Sequence, residues 1–272
     1  MVRITGTDAA TYLQGQISQD VTTIAAGESA WSLLLDPSGK LISWFRLHRL
    51  GDHEFLADLE PATVDRLVAR LRRFVLRTDV EFESEPDWRM LSVRAATPAE
   101  LDVSAVADVE GLRAGVDWPG FVGVDVLGAA LGVPAGWVFD EPAVEALRVR
   151  AGFPTVSADL DDDTIPAEMG PGVIVRSVSF DKGCYTGQEL VARVDSRGNN
   201  VPRPLRRLEG DADLVVGAEI RSVDDGEPVG TLSSAAGPHG LARVRRRVEP
   251  GSRVTVGGIG AIVVATPTES HG

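Results

Sequence analysis

The sequence predicts an α+β fold that ends in a small all-β unit. Three observations carry this. Residues 1–93 alternate short apolar strands with two helices. Val201-Pro202-Arg203-Pro204 then forms a stiff boundary. Beyond it, alternating apolar runs recur at roughly 10–12-residue spacing between glycine turns, as in a small barrel.

The elements follow in order. Val2 and Ile4 form a short strand, Gly6-Thr7-Asp8 turns, and Ala9 to Gln16 is helical with Asp8 or Thr7 as its cap. Trp31–Leu35 and Leu41–Phe45 make a hairpin around Asp36-Pro37-Ser38-Gly39, a run of turn formers. Trp31, Trp44 and Phe45 read as core packing. Phe55-Leu56-Ala57 is a strand, and Glu60 to Phe74 is an amphipathic helix with Val64, Leu67, Val68 and Leu71 on one face. Val80-Glu81-Phe82 and Met90–Val93 are strands, so strand, helix, strand, strand repeats a ferredoxin-like α+β pattern. Residues 95–120 read as loop and edge. Val122–Leu127 reads as a strand, followed by a short helix at Leu127–Leu131. Glu141 to Ala151 is a helix stopped by Gly152. Asp159–Asp163 is a solvated acidic loop, and Val173 to Phe180 is a strand. Arg197–Asn200 is a loop. The closing strands are Leu205–Leu208, Glu219–Arg221, Val229–Ser234, Gly240–Val244, Arg253–Val256 and Ala261–Ala265.

Composition narrows the function. The chain has 272 residues, enough for two or three domains with a real core, and a net charge of −13. Nucleic acid and acidic membranes are therefore not expected partners, because a phosphate backbone needs a basic face. The arginine run Arg66, Arg70, Arg72, Arg73, Arg77 reads as a solvated face. One cysteine excludes an intramolecular disulfide and fits a reducing cytoplasm. No run approaches the roughly 18 apolar residues of a membrane helix, and residues 1–20 have no signal pattern. His48, His53, His239 and His271 lack mutual ligand spacing, so no stably bound metal is expected.

That cysteine lies in Lys182-Gly183-Cys184-Tyr185-Thr186-Gly187-Gln188-Glu189, which an apolar run follows at once. Thr186 and Glu189 have capping-box spacing, which puts Thr186 at the N-cap and Glu189 at N3. Cys184 then sits just ahead of a helix N-terminus, two residues from Lys182; both favour a thiolate, the reactive form. Gly183 and Gly187 allow positive φ or close approach of a ligand.

Lys182–Glu189, continued by Leu190-Val191-Ala192-Arg193, resembles the signature of the YgfZ family. These are folate-binding proteins related to the T-protein (aminomethyltransferase) of the glycine cleavage system. Three further stretches are similar in the same order: Ile4–Ala10 with Tyr12–Gln16 and Asp20-Val21, then Ala146–Pro154, then Ile165–Met169. The resemblance implies a T-protein-like fold in three modules. Residues 1–47 and 138–203 would form a discontinuous first module that binds folate. A ferredoxin-like unit, 48–137, would be inserted in it, and a C-terminal β-barrel, 204–272, would follow. The family commonly has residues ahead of the first strand that help form the folate pocket; here the strand begins at Met1, so that edge is expected to be missing.

The resemblance implies tetrahydrofolate in a central cavity and a role in assembly or repair of iron–sulfur clusters, with client or assembly proteins as partners. Cys184 would act as a thiolate. Lys182 would lower its pKa and meet the glutamate carboxylates of folate. Thr186, Gln188 and Glu189 would shape the helix start, with Gly183, Tyr185, Gly187 and Arg193 completing the motif. Arg148 and Glu168 would be pocket residues. A lone cysteine cannot hold a cluster by itself. T-proteins carry a catalytic Asp on the second hairpin strand, where this chain has Ser43-Trp44 and no carboxylate from Gly39 to Leu50. That argues for an accessory factor over an aminomethyl or one-carbon transferase. The chain is expected to be a cytoplasmic monomer. A folate-binding scaffold without chemistry is the other alternative.

Overall fold

The structure is a computed structural model that describes residues 1–265 except 117, 134–135, 138–139 and 199. Asn199, His271 and the expected module boundary at 138 lie outside the described residues. Three sheets organise the described residues.

The first comprises β1 (Val2–Thr5), β2 (Ser29–Leu35), β3 (Leu41–Arg49), β4 (Glu54–Asp58) and β5 (Glu81–Ser84), in the antiparallel order β2-β3-β4-β1-β5. The boundary expected at 47/48 falls inside β3. One face buries Ile4, Phe45 and Leu47 against Leu13 of α1 (Ala9–Gln16) and Leu67 and Leu71 of α2 (Val64–Arg72). Each such fully buried side chain contributes about 1.5–3 kcal/mol. The opposite face carries Leu33, Leu35 and Trp44 into a second core. The cap of α1 is not local. The Asp8 carboxylate accepts from the Asp79 backbone N–H at 2.9 Å, and Thr7 donates to the Asp79 carboxylate, tying α1 to the β5 end instead.

The second sheet has β6 (Arg89–Ala95), β7 (Leu112–Val116) and β8 (Val122–Gly128), ordered β6-β8-β7. Within 95–120, expected as loop and edge, β7 is an edge strand of this sheet. Its Leu-Arg-Ala-Gly-Val run has weak intrinsic preference, and pairing with β8 from Leu112↔Leu127 to Val116↔Gly123 supplies the strand. The helix expected at 127–131 is absent, since Leu127 and Gly128 end β8.

Helices follow: α3 (Glu141–Ala151), α4 (Val156–Asp159), α5 (Pro171–Ser177) and α6 (Gln188–Asp195). The strand expected at 173–180 is therefore a helix over most of its length. Gly170, at φ 105°, turns the chain, Pro171 opens the helix, and Val173, Ile174 and Ser177 bury one face. That burial overrides the β-propensity of Val173-Ile174-Val175.

The third sheet holds β9 (Leu205–Gly210), β10 (Glu219–Ser222), β11 (Pro228–Thr231), β12 (Ser234–Ala236), β13 (His239–Arg243), β14 (Arg253–Val256) and β15 (Ile259–Val264). The run expected at Val229–Ser234 is split between β11 and β12. The order is β11-β10-β14-β15-β9-β13-β12, and a Gly230–Val244 bridge curls the β11 edge back towards β13. Its core includes Leu208, Ile220, Val254 and Val263.

The acidic loop is not simply solvated. Buried Asp159 accepts from Arg148 and from the Ser233 and Ser234 hydroxyls, joining α3 and α4 to the curled sheet. Asp161 pairs with Arg243 of β13.

Candidate functional site

Pairing of β2 and β3 sets Trp31 opposite Arg46 and Leu33 opposite Trp44. Trp31 and Trp44 stack with centroids 4.6 Å apart, Trp44 lies 4.7 Å from Phe153, and Trp118 lies 5.3 Å from Phe153. Trp44 Nε1 donates to Ser177 Oγ at 2.9 Å, fixing its plane from α5. These four rings line a cavity of about 310 Å³, within the range of about 300–1,000 Å³ common for small-molecule sites.

One wall is ionic. Arg46 Nη2 donates to Asp58 Oδ2 and Asp125 Oδ2, both at 2.8 Å. Asp125 Oδ1 accepts from Arg94 Nη1 at 2.7 Å and Ser92 Oγ at 2.6 Å. Three strands of two sheets plus β4 thus meet through one chain of charge. Burial pushes Arg46 down, but Asp125 and Asp58 outweigh it and hold it above its ordinary value. Burial pushes Asp58 up, and His48 and Arg46 overcome this and hold it below the ordinary carboxylate range. The carboxylate missing from the hairpin strand therefore has a counterpart on the neighbouring strand, directly across from Arg46 and locked to it.

Arg148 also lines this cavity. Its guanidinium donates to Phe153 O (2.7 Å), Asp159 Oδ2 (2.8 Å), Ser234 Oγ (2.7 Å) and both Glu145 oxygens, so it braces the wall against the curled sheet. Glu168 is elsewhere. Its Oε1 accepts from the Arg203 N–H at 3.1 Å, its Oε2 lies 3.3 Å from Arg243 Nη1, and burial raises its carboxyl against the pull of both arginines. It is not among the cavity's lining residues.

No residue of the cysteine motif is among the lining of the aromatic cavity. The motif's helix starts one residue later than the spacing suggests. Gly187, at φ 83°, is the N-cap, and the Thr186 cap with Glu189 reaching back does not form. Gln188 reaches back instead, its Oε1 accepting from the Tyr185 N–H at 3.1 Å. Gly187 also lies against the hairpin turn. An added Cβ would meet Asp36 O at 2.6 Å and Leu35 Cβ at 2.8 Å, while one on Gly39 would meet Leu190 Cβ at 2.5 Å. Gly183 has open space around it and no left-handed φ, so the positive-φ role falls to Gly187 alone.

Lys182 corrects a second expectation. Its ammonium donates to Gln14 O, Ile17 O and Gln19 O, each at 2.8 Å. All three N–H groups are spent on the carbonyls at and beyond the C-terminal end of α1, a favourable place for a cation, and not on the thiol. Burial pushes its pKa down to about 8 against the opposing charge of Asp20. Tyr185 belongs to the same buried cluster as Trp44 and Phe153, and burial pushes its hydroxyl up to about 12. Cys184 is exposed, as are Glu189 and Arg193. Lys182, Tyr185, Gln188 and Glu189, with Phe180, line an open depression of about 300 Å³. The motif is thus gathered in one place, Arg148 belongs to the aromatic cavity, and Glu168 belongs to neither.

Sequence reasoning missed the ionic wall and the cavity role of Trp31, Trp44 and Trp118. A signal was present: just beyond the apolar run Leu41–Phe45, Arg46 and His48 alternate with Leu47. Among the described residues, no helix is long and apolar enough to cross a membrane.

No protein-family profile matches the chain. An uncharacterised protein of Haemophilus influenzae is 26% identical over 248 residues, covering 89% of this chain and 83% of that one. The tRNA-modifying protein YgfZ of Yersinia enterocolitica is 30% identical over 235 residues, 78% of this chain and 69% of that one. The YgfZ protein of Yersinia pestis is 30% identical over 237 residues, 80% and 71% respectively. The crystal structure of the glycine cleavage system aminomethyltransferase T from Bartonella henselae superposes with a TM-score of 0.72 at 16% identity, over 98% of this chain and 82% of that chain. The fold is that of the T-protein, with mixed helix and sheet and a curled C-terminal half-barrel. At the level of sequence the chain belongs to the YgfZ family.

Proposed function

We propose that the chain is a tetrahydrofolate-binding protein that assists assembly or repair of iron–sulfur clusters, and through them the modification of tRNA. The observation that carries the folate part is the aromatic cavity in a T-protein-like fold. Its residues fit a flat, polar heterocycle. Trp31, Trp44, Trp118 and Phe153 offer ring faces, while Asp58 and Arg46 present acceptor and donor groups on one wall. The name borne by the Yersinia relatives supports the link to tRNA. With a net charge of −13, that link is read as indirect, through an iron–sulfur enzyme and not through a tRNA surface.

In this reading Cys184 is the working group, an exposed nucleophile in a motif that packing holds rigid. It captures or transiently ligates a reactive species shared with folate or a client protein. Lys182 holds the motif against α1. The test is the activity of a radical-type iron–sulfur enzyme in a strain lacking the protein, restored with wild type or Cys184→Ala. Rescue by wild type alone is expected. Equal rescue by both removes Cys184 from the mechanism, and no defect in the deletion strain sinks the iron–sulfur role.

Asp58 and Asp125 favour a second reading, a folate-dependent one-carbon transferase, because both carboxylates line the cavity. Their pairing with Arg46 leaves neither poised as a proton donor. Turnover of methylenetetrahydrofolate by the purified protein would establish that activity.

A further inference from the structure

His48 is the buried titratable group that this account has not used. It is 1% exposed and lies two residues beyond Arg46 on β3. Among the described residues, both of its ring nitrogens lack a hydrogen-bond partner, as do Nε of Arg46 and Nε of Arg94. Four unsatisfied atoms in one ionic cluster are unusual, because buried polar groups are nearly always paired. His48 Nε2 stands 3.9 Å from Asp58 Oδ2, beyond hydrogen-bond reach. That same oxygen is held at 2.8 Å by Arg46.

The surrounding charges come from every packed strand. Arg46 lies on β3, Asp58 on β4, Asp125 on β8 and Arg94 on β6, two guanidinium groups against two carboxylates. The N-terminal ammonium ahead of β1 also feels Asp58. Ser29, opposite His48 on β2, is uncharged. The cluster sets two guanidinium groups against two carboxylates. It has one carboxylate, Asp58, that lies between two bases and is bonded to only one.

Resting on the reading of the cavity as a folate site, we propose that His48 is a proton-linked positioning residue for the ligand. A bound heterocycle that presents an acceptor oxygen to the cavity wall draws the Arg46 guanidinium off Asp58. His48 then takes up a proton from solvent, and the imidazolium pairs with the carboxylate that Arg46 releases. Arg46 keeps Asp125, so no carboxylate is left alone. The ligand class is a planar heterocycle with a carbonyl edge, as in a pterin. Binding is coupled to uptake of up to one proton, and His48 never touches the ligand.

The experiment is calorimetric titration of the full-length protein with tetrahydrofolate near pH 7, in two buffers of different ionisation enthalpy. Wild type should take up a proton on binding. His48→Gln, which can donate but not titrate, should bind with affinity changed no more than several-fold and take up none. The imidazole resonances of wild type, with His48 assigned by their loss in that variant, should move to the imidazolium position on saturation. This second readout stands even where the variant folds poorly. Binding without uptake, or equal uptake by the variant, overturns the role of His48 and leaves the folate site intact. No binding by wild type overturns the folate site and this inference with it.

Discussion

At Gly187 an added methyl would meet the Asp36 carbonyl oxygen at 2.6 Å in a backbone at φ 83°. Both the clash and the left-handed conformation oppose any side chain, so Gly187→Ala should destabilise by roughly 2–4 kcal/mol in urea unfolding. Gly183→Ala, in open space, should stay within about 0.5 kcal/mol of wild type. Lys182 makes a prediction in pH. Its folded-state pKa, near 8, lies below the ordinary 10.5. Between those values the unfolded chain holds the extra proton, so this group adds stability as the pH rises. Unfolding midpoints measured from pH 7 to 10.5 should show that slope in wild type, and a shallower one in Lys182→Met. The identity of the motif is legible in the sequence, but its mechanics are not. Capping-box spacing names Thr186 and Glu189, whereas the hairpin turn, some 150 residues earlier, forces glycine at 187 and moves the cap there.

Among the elements, α3 and α4 are fastened to the curled sheet by charge. Arg148 is 5% and Asp159 3% exposed, and Ser234 of β12 touches both. Removing one partner strands the other, so Arg148→Met should cost about 3–5 kcal/mol. A double-mutant cycle with Asp159→Asn should return coupling on the order of 1–3 kcal/mol. Asp161 is the acid-sensitive joint. Burial pushes its carboxyl up, yet Arg243 and Thr164 hold it down at about 2, against 3.8 ordinarily. Its stabilisation is present above 3.8 and is lost as the pH falls towards 2. Arg243→Met should therefore bring acid unfolding to higher pH, as followed by circular dichroism. Neither fastening could be read from sequence, because a block of carboxylates at 159–163 has the pattern of a solvated loop and its partners arrive from β13 and the loop before β12. The same limit hid α5. Valine and isoleucine favour strand in isolation, and only the buried face of Val173 and Ile174 selects helix. The hairpin, α2, α3 and the closing strands were legible because periodicity and turn residues agree with their final environment.

For the whole molecule, strands from two sheets and the end of α3 converge on one aromatic cavity, while Tyr185 of the cysteine motif is buried in the same core. The sequence indicated the motif side through its local signature. The cavity side is built from single residues far apart in the sequence, Trp31, Arg46, Asp58, Arg94, Trp118 and Asp125, none of which forms a local pattern. The account stands on the claim that this cavity holds a folate. Equilibrium titration of the protein with tetrahydrofolate, read by tryptophan fluorescence, tests it most directly. Saturable one-to-one quenching is expected for wild type, with affinity about tenfold weaker in Trp118→Leu, which removes one stacking face of roughly 1 kcal/mol or more. Absence of saturable quenching in wild type, or equal affinity in that variant, would contradict the assignment of this cavity.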